Sequence, residues 1–301
     1  MSGEITLRRI AIIGFGEAGG IFGEDLAKQG VEVTTYDILL DSQASRPAML
    51  AKAERAGVRA KDSLAAAIEG ADLVLSAVTA QSAADVARAA GPLMRKGQIY
   101  LDINSVAPAT KRANAEAVEA GGADYVESAV MAPVPPHRIA VPMLFGGAKA
   151  EPLAAALRAL GMNATAVSDR IGVASAIKMC RSIVIKGLEA LTLESMFAAR
   201  RFGAEKEVLA SLQKTFPHMG WEAQLPDYLI SRVAEHGRRR AAEMREVART
   251  LADIGLDPVM ASATAVRHDR LIDEMAEHGI SYRQDEPFSW RSLADALSGN
   301  Q

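Results

Sequence analysis

A stretch near the start of the chain, "RRIAIIGFGEAGGIFGEDLAKQG", constrains the fold more than any other. Its continuous apolar run is typical of a β-strand buried on both faces, because such a strand shows no polar alternation. Glycines interrupt the run, and helical spacing then continues until Gly30. The sequence therefore predicts a buried strand, a tight glycine turn and a helix.

The alternation of strand and helix continues through the first half of the chain. Further strands are predicted at "VEVTTYD", "DLVLSAV", "QIYLDIN", "ADYVESAVM" and "PMLFGG", most of them separated by helical segments. This order favours a Rossmann-type α/β domain with a doubly wound parallel sheet. We expect this domain to cover residues 1–170.

The second half of the chain is predicted to be all-helical, as a C-terminal domain over residues 171–301. Glycine or proline breaks separate its helical segments. These segments are 173–203, 205–216, 226–254 and 258–278. The tail from Ser281 is polar, and we expect it to be loosely packed.

The composition of the 301-residue chain excludes several classes of function. A net charge of −3 gives no general attraction to nucleic acid or to anionic membranes. The single cysteine, Cys180, excludes an internal disulfide, and the histidines lack metal-binding spacing. The N-terminal apolar run is too short for a membrane span. We expect a cytoplasmic protein without a metal site, with Cys180 buried as a small apolar side chain.

The glycine turn has the spacing Gly14-x-Gly16-x-x-Gly19, between the first strand and the first helix. In this position the first glycine permits the turn, the second lets backbone approach a pyrophosphate, and the third lets helix and strand pack closely. The helix N-terminus adds N–H groups and a positive dipole. The alternative is a tight turn that binds nothing. We predict cofactor contacts from Gly14, Phe15, Gly16, Glu17, Ala18 and Gly19.

Asp37 ends the second predicted strand, about 20 positions after the glycines. Its carboxylate can accept hydrogen bonds from ribose hydroxyls and would repel a 2′-phosphate, which favours NAD over NADP. NADP stays open because Arg46 or Lys52 could fold back toward the ribose.

Later strand ends should reach the same edge of the sheet. This places four more predicted cofactor contacts there, Val78, Thr79, Asn104 and Ser105. For Asn104 and Ser105 the alternative is capping of the helix that Pro108 opens.

The segment "GVASAIKMCRSIVIKGLEALTLES" is an apolar helix interrupted by Lys178, Arg181 and Lys186. Helical geometry places Ser182 on the face of Lys178, and Lys186 to its side. Glu189 would lie roughly 16 Å along the helix, outside the expected chemistry. Lys178 either packs its stem on the core and exposes its ammonium, or acts as an acid–base group.

Four segments in order, "GFGEAGG", "DINSVAP", "YVESAVMAPV" with "MLFGG", and "GVASAIKMCRS", resemble the β-hydroxyacid dehydrogenase family. That family includes 3-hydroxyisobutyrate and 6-phosphogluconate dehydrogenases. The resemblance implies hydride transfer between a nicotinamide cofactor and a hydroxy acid or related alcohol, with Lys178 as general acid–base. Such a lysine needs a lowered pKa, which burial or a nearby cation provides. The resemblance also implies a homodimer built on the long helix, which its apolar run supports.

Two departures from the family concern the substrate. Ser182 replaces an asparagine, although its hydroxyl can still donate and accept a hydrogen bond. A Ser-Gly-Gly loop is replaced by residues 131–133, followed by Pro135, Pro136 and His137. Because proline has no N–H donor, this loop predicts a more rigid and apolar wall. We predict substrate contacts from Met131, Ala132, Pro133 and His137.

A third departure lies in a late helix, where the family has a Lys-Asp pair. Here the pair becomes Ala242-Glu243, which keeps the acid and loses the lysine. Arg239, one turn earlier, could replace the lysine, because a guanidinium grips a carboxylate with two parallel hydrogen bonds. Arg239 and Glu243 are therefore predicted substrate contacts. The alternative is that residues 238–240 form a solvated, salt-bridged helix segment.

Two other functions remain open beside a dehydrogenase of a small molecule. Imine reductases and reductive aminases share this architecture, but typically carry aspartate or tyrosine where this chain has Lys178. A non-catalytic dinucleotide-binding protein is the second, and the altered substrate loop is its support.

Overall fold

The computed structural model describes residues 5–298. Up to Lys178 they form one compact unit, and from Met179 onward they form a second. The strands are β1 (Arg9–Ile13), β2 (Glu32–Tyr36), β3 (Arg59–Ala60), β4 (Leu73–Ser76), β5 (Ile99–Asp102), β6 (Asp124–Val130), β7 (Met143–Gly146) and β8 (Ala164–Ser168). The helices among them are α1 (Glu17–Lys28), α2 (Arg46–Arg55), α3 (Leu64–Ile68), α4 (Ala83–Ala90), α5 (Pro108–Glu119), α6 (Val134–His137) and α7 (Ala150–Ala159).

Helices make up the rest of the described chain. They are α8 (Val173–Phe202), α9 (Glu205–Thr215), α10 (Leu225–Ala252), α11 (Val259–Glu277) and α12 (Trp290–Leu297). Helix α8 begins in the first unit and continues into the second.

The first unit is built on one eight-stranded sheet in the order β3-β2-β1-β4-β5-β6-β7-β8. Neighbouring strands are parallel except β6 and β7, which run antiparallel. Only α6 and a short 3₁₀ turn join β6 to β7, whereas a parallel pair needs a longer crossover. The predicted Rossmann-type fold is confirmed, and the sheet is mostly rather than wholly parallel.

Hydrophobic cores lie on both faces of this sheet. Ile10 and Ile12 of β1 belong to one core, and Ala11 and Ile13 belong to the other. This arrangement follows from the strand period of two and explains why β1 reads as a continuous apolar run.

The second unit has its own core, in which Trp290 of α12 is 1% exposed. The expectation of a loosely packed tail is therefore wrong for α12, whereas residues 283–287 before it are exposed and lie outside helices and strands. Ser289 accepts a hydrogen bond from the Ser292 N–H at 3.3 Å and caps α12, whose apolar face then packs against the other helices.

Cys180 is exposed, contrary to the expectation. It shares a face of α8 with the exposed Ile177 and Val184, whereas Met179 is on the buried side. Within residues 5–298 no helix is long and apolar enough to cross a membrane.

Candidate functional site

Four parallel strands end at the same level along one edge of the sheet. Ile13 pairs with Tyr36 and with Ser76, and Ser76 pairs with Asp102. The residues after these strand ends, namely the glycine turn, Asp37 and the segments at 78–79 and 104–105, are thereby brought to one edge. The chain proceeds in opposite directions from β1 toward β2 and toward β4, and doubly wound sheets bind ligands at such a switch point.

The glycine turn has the geometry that the sequence predicts. Gly14 has φ +87°, and a Cβ there would lie 2.5 Å from the Ala77 carbonyl oxygen. A Cβ on Gly19 would overlap the Gly14 carbonyl oxygen. At Gly16, by contrast, a Cβ would have nothing within 4 Å, so the backbone borders open space. Helix α1 begins there without a side-chain cap, which leaves room and N–H donors for a phosphate.

Asp37 connects the end of β2 to this turn. Its Oδ2 accepts a hydrogen bond from the Phe15 N–H at 2.6 Å, and its Oδ1 accepts one from the Leu39 N–H at 2.9 Å. Each carboxylate oxygen keeps further acceptor capacity. Asp37 therefore holds the turn and can still accept hydrogen bonds from ribose hydroxyls, so these residues fit a nicotinamide dinucleotide.

The two cations that could have reached the ribose bind protein groups instead. Arg46 donates to the Leu40 carbonyl at 2.8 Å and pairs with Asp62. Lys52 donates to the carbonyls of Phe15 at 2.6 Å and Gly16 at 2.7 Å. Both cations are engaged without a 2′-phosphate.

Asn104 is a buried link between strand ends and not a helix cap. Its Oδ1 accepts from the Val78 N–H at 2.7 Å, and its Nδ2 donates to Ser76 Oγ at 2.9 Å and to Asp102 at 2.8 Å. Helix α5 begins after Ala107, without a side-chain cap. Asn104 thus fixes the segment that carries Thr79. Thr79 is exposed, and Ser105 is half-buried.

A buried ion pair that the sequence did not reveal lies beneath these residues. Asp102 is fully buried and pairs with Lys111 at 2.8 Å, and it accepts hydrogen bonds from Tyr125 and Asn114. Burial opposes ionisation, but the Lys111 charge and these hydrogen bonds outweigh it and hold the pKa of Asp102 below its usual value. We call the sheet edge that carries the predicted cofactor contacts the cofactor edge. The buried Asp102–Lys111 pair lies directly beneath it and is held by hydrogen bonds.

Glu127 anchors the start of α8, a role that the sequence alone did not predict. Its carboxylate, 0% exposed, accepts hydrogen bonds from the N–H groups of Gly172 at 2.6 Å and Ala174 at 3.0 Å, and from Ser175 Oγ at 2.7 Å. Lys178 is half-buried, one turn after Ser175. The available signal was an acid in the middle of the mostly apolar strand "ADYVESAVM", whose other acid, Asp124, lies at its start.

The loop between β6 and β7 is tied to α1. Arg138, with φ +50°, pairs with Asp25 at 2.6 Å and with Glu24 at 2.8 Å. The Ile139 N–H also donates to Asp25. Of the predicted substrate contacts, Met131 and Ala132 are half-buried, and Pro133 and His137 are exposed.

A polar cluster occupies the interior of the second unit, formed by Ser182, Lys186, Glu189, Arg240, Glu243 and His268; we call it the α8–α10 polar cluster. Lys186 donates to Ser182 Oγ at 3.3 Å and pairs with Glu243 at 2.7 Å. Arg240 grips Glu189 with both Nε, at 2.7 Å, and Nη2. The sequence placed Lys186 to the side of this face, but its long side chain reaches back to Ser182.

His268 is the member of the α8–α10 polar cluster that α11 contributes, and its Nε2 lies 3.9 Å from Glu189. Burial, followed by the charges of Arg240 and Lys186, lowers the pKa of His268 to about 4. The imidazole is therefore neutral at physiological pH.

The three consecutive arginines of α10 have different surroundings. Arg238 pairs with Asp269 and Asp273 on α11, as the salt-bridge alternative expected, and Arg240 points inward to Glu189. Arg239 is exposed and forms no ion pair with any residue in the described part of the chain. Among residues 5–298, no group of three or more His, Cys, Asp or Glu side chains could hold a metal ion.

Comparisons with known proteins agree with this geometry. The family model for the NAD binding domain of 6-phosphogluconate dehydrogenase matches residues 9–168, and that for a domain of unknown function matches residues 199–271. An uncharacterised 28.5 kDa protein of Methanothermus fervidus is 30% identical, over 85% of this chain and 96% of its own. The 3-hydroxyisobutyrate dehydrogenase of Pseudomonas aeruginosa is 27% identical, over 90% of this chain and 91% of its own.

Solved structures give the same result. A conserved hypothetical protein from Sinorhizobium meliloti has a TM-score of 0.84 at 37% identity, covering 99% of this chain and 98% of its own. A 3-hydroxyisobutyrate dehydrogenase of Mycobacterium tuberculosis shares the fold, with a TM-score of 0.72 at 16% identity over 97% of this chain and 99% of its own. The chain therefore belongs to the β-hydroxyacid dehydrogenase family, with an NAD(P)-binding Rossmann domain at its N-terminal end.

Proposed function

We propose that the protein is an NAD-dependent dehydrogenase that oxidises the CH–OH group of a small hydroxy acid or related alcohol, with Lys178 as the proton-transfer residue. The observation that carries the proposal is the anchoring of α8. Buried Glu127 fixes the first turn of this helix, and Lys178 follows one turn later. A general acid–base needs such a fixed backbone, because proton transfer requires hydrogen-bond distance to the reacting oxygen.

The preference for NAD is supported by Asp37. Its carboxylate stands where the ribose of a dinucleotide lies in this fold, and a 2′-phosphate there would meet like charge. A bound nicotinamide dinucleotide supplies the hydride acceptor. The chain supplies the N–H groups of Gly16 and Glu17 for the phosphates and the carboxylate of Asp37 for the ribose hydroxyls.

In this proposal Lys178 transfers the proton of the substrate oxygen, and Ser182 donates a hydrogen bond to the same oxygen. As a neutral amine Lys178 takes the proton of the hydroxyl, and in the reverse direction its ammonium returns a proton to that oxygen. Ser182 accepts a hydrogen bond from Lys186, which can only donate. The Ser182 hydroxyl therefore keeps its own hydrogen to donate to the same substrate oxygen.

Arg239 is the residue that we propose for contact with a substrate carboxylate, on the basis of its own surroundings alone. Among the three arginines it is the one whose guanidinium is not engaged by an acid of the described residues, whereas Glu243 is occupied by Lys186. The loop that carries Met131, Ala132 and Pro133 offers few N–H donors, so we assign it to the apolar part of the substrate. His137 lies at the exposed end of the same loop.

The proposal is tested with the full chain and a panel of hydroxy acids, alcohols and imines, by following NADH and NADPH absorbance. On the best substrate, Lys178→Ala should lower kcat by about a hundredfold or more, the usual contribution of a general acid–base. NADH affinity should stay within about threefold, since Lys178 is not among the proposed cofactor contacts. Lys206→Ala, on the exposed face of α9, is the matched control.

Two results would overturn this assignment. Lys178→Ala with more than a few per cent of wild-type kcat would exclude its role as the proton-transfer residue. Tight NADH binding without turnover of any hydroxy acid or alcohol would favour a binding protein, or an imine reductase if only imines react.

We also propose a cytoplasmic homodimer. Helix α8 exposes Ile177, Val184 and Leu191 at intervals of seven residues, on one face. Such an apolar stripe is typical of a surface that another protein chain covers. Sedimentation equilibrium should give twice the chain mass, and Val184→Asp with Leu191→Asp should give the monomer mass. A monomeric wild type would contradict the proposal.

A further inference from the structure

Lys52 of α2 lies behind the glycine turn and has no place in the reaction proposed above. Its Nζ donates to the carbonyl oxygens of two successive residues, Phe15 at 2.6 Å and Gly16 at 2.7 Å. The same ammonium lies 5.3 Å from the centre of the buried Phe15 ring. A lysine that donates two of its three N–H bonds to adjacent backbone carbonyls restrains the orientation of two peptide groups.

The orientation of these peptides decides where their N–H groups point. In a planar trans peptide the C=O and N–H bonds are directed to opposite sides. The carbonyl of Phe15 belongs to the same peptide as the Gly16 N–H, and the carbonyl of Gly16 to the same peptide as the Glu17 N–H. Because Lys52 holds both carbonyls, both N–H groups are turned away from it. The Gly16 carbonyl also accepts the Gly20 N–H at 3.1 Å, so Lys52 adds to a helical hydrogen bond at Gly16, whereas among the described residues it alone holds the Phe15 carbonyl.

The side to which these N–H groups turn is the open side of the turn. A Cβ on Gly16 would meet nothing within 4 Å there. Neither the Gly16 nor the Glu17 N–H has a hydrogen-bond acceptor among the described residues, and α1 has no side-chain cap. Asp37 takes the N–H of Phe15, so the turn is held from two sides.

The chain also provides a path for the Lys52 side chain. A Cβ on Gly20 would lie 3.0 Å from the Lys52 Cε and 3.2 Å from its Nζ. The absence of a side chain at Gly20 therefore lets the ammonium reach the carbonyls across the first turn of α1.

We infer that Lys52 is a positioning residue of the dinucleotide site, which presents the N–H groups of Gly16 and Glu17 to the pyrophosphate. Its charge also polarises both peptides, which strengthens the hydrogen bonds that they donate to an anion. The inference rests on dinucleotide binding and not on the proposed role of Lys178, so either can fail alone. The sequence also allowed Lys52 to contact the 2′-phosphate of NADP, which is attached to the ribose. Here Lys52 acts instead on the peptides that bind the pyrophosphate, a group that NAD and NADP share.

Binding measurements on the full chain test this inference. Lys52→Met keeps the apolar stem and removes the charge and both hydrogen bonds. It should weaken NADH, NADPH and ADP-ribose by about tenfold, the equivalent of one charge-assisted hydrogen bond. Adenosine, which has no phosphate, should bind within about twofold of wild type. Lys52→Arg should restore part of the loss, because a guanidinium can also donate to both carbonyls.

Lys28→Met, at the opposite end of α1, is the matched control and should leave all four affinities unchanged. A loss confined to NADPH would mean that Lys52 contacts the 2′-phosphate, and an equal loss for adenosine would mean a general distortion; either overturns the inference. Unchanged NADH affinity in Lys52→Met overturns it as well. If the wild type binds no dinucleotide, the cofactor site and this inference both fall.

Discussion

Glu127 is a residue whose loss should strongly weaken the first unit. It is fully buried, and four donors converge on its two oxygens: the N–H groups of Gly172, Ala174 and Ser175 and the Ser175 hydroxyl. The carboxylate also faces the positive end of the α8 dipole. Glu127→Gln keeps the shape of the side chain but replaces one acceptor oxygen with an NH₂ group, which can only donate.

The expected cost follows from these contacts. With its amide oxygen toward the N–H groups of Gly172 and Ala174, the new NH₂ group would leave the Ser175 N–H facing a donor. The Ser175 hydroxyl can instead donate to the Gly172 carbonyl oxygen, 3.2 Å away, and accept from the NH₂ group. Each buried donor without an acceptor costs about 1–3 kcal/mol. Loss of the interaction between the charge and the helix dipole adds up to about 2 kcal/mol. We therefore expect Glu127→Gln to lower the free energy of unfolding by about 3 kcal/mol, or the Tm by roughly 8 °C.

The assay uses the position of the tryptophans. Trp221 and Trp290 both lie in the second unit, so tryptophan fluorescence reports its unfolding, whereas far-UV circular dichroism reports both units. In urea, the circular dichroism midpoint of Glu127→Gln should fall well below that of wild type. Glu116→Gln, exposed on α5, is the control. A Glu127→Gln protein within about 1 kcal/mol of wild type would refute the capping argument.

Two further predictions concern Asp37 and His268. Asp37→Ala should weaken NADH binding and reduce the ratio of NADH affinity to NADPH affinity, because the carboxylate that repels a 2′-phosphate is gone. Titration of both cofactors checks this, and an unchanged ratio would contradict the assignment of Asp37 to the ribose. Because the pKa of His268 is lowered from 6.5 to about 4 by burial and by Arg240 and Lys186, the unfolded chain binds more protons between these values. The contribution of His268 to the free energy of unfolding should therefore fall by about 3 kcal/mol as the pH drops from about 6.5 to about 4. NMR should find its imidazole neutral at pH 5, with the signal assigned by its absence in His268→Gln, and a normal titration near pH 6.5 would contradict this.

Local periodicity was sufficient to predict most of the fold. The strand β1 and the long helix α8 follow from apolar patterns that one stretch of chain carries by itself. Helix α12 was missed because its stability depends on Trp290 reaching a core formed by distant helices. The antiparallel pairing of β6 with β7 depends on how the loop between them folds, which periodicity does not record.

The candidate site also has a part that local spacing predicts and a part that depends on contacts between distant residues. The glycine turn and Asp37 are separated by a fixed strand–helix–strand unit, so their meeting could be predicted from spacing. The contacts of Lys52, Glu127 and Lys186 join residues far apart in sequence or depend on side-chain length. In the sequence, each of these three residues is a charged residue in an otherwise apolar or helical segment. The type of residue alone does not predict which group it binds.

The distribution of these contacts bears on how the chain differs from its relatives. The cofactor edge is held by Asp37, Asn104 and Lys52, all through hydrogen bonds within the protein itself. A turn ordered in this way loses little conformational freedom when a dinucleotide binds, which favours affinity. The predicted substrate contacts His137 and Arg239, in contrast, are exposed side chains. Substitution there disturbs no buried partner, so substrate specificity can change while the cofactor edge and the start of α8 stay fixed.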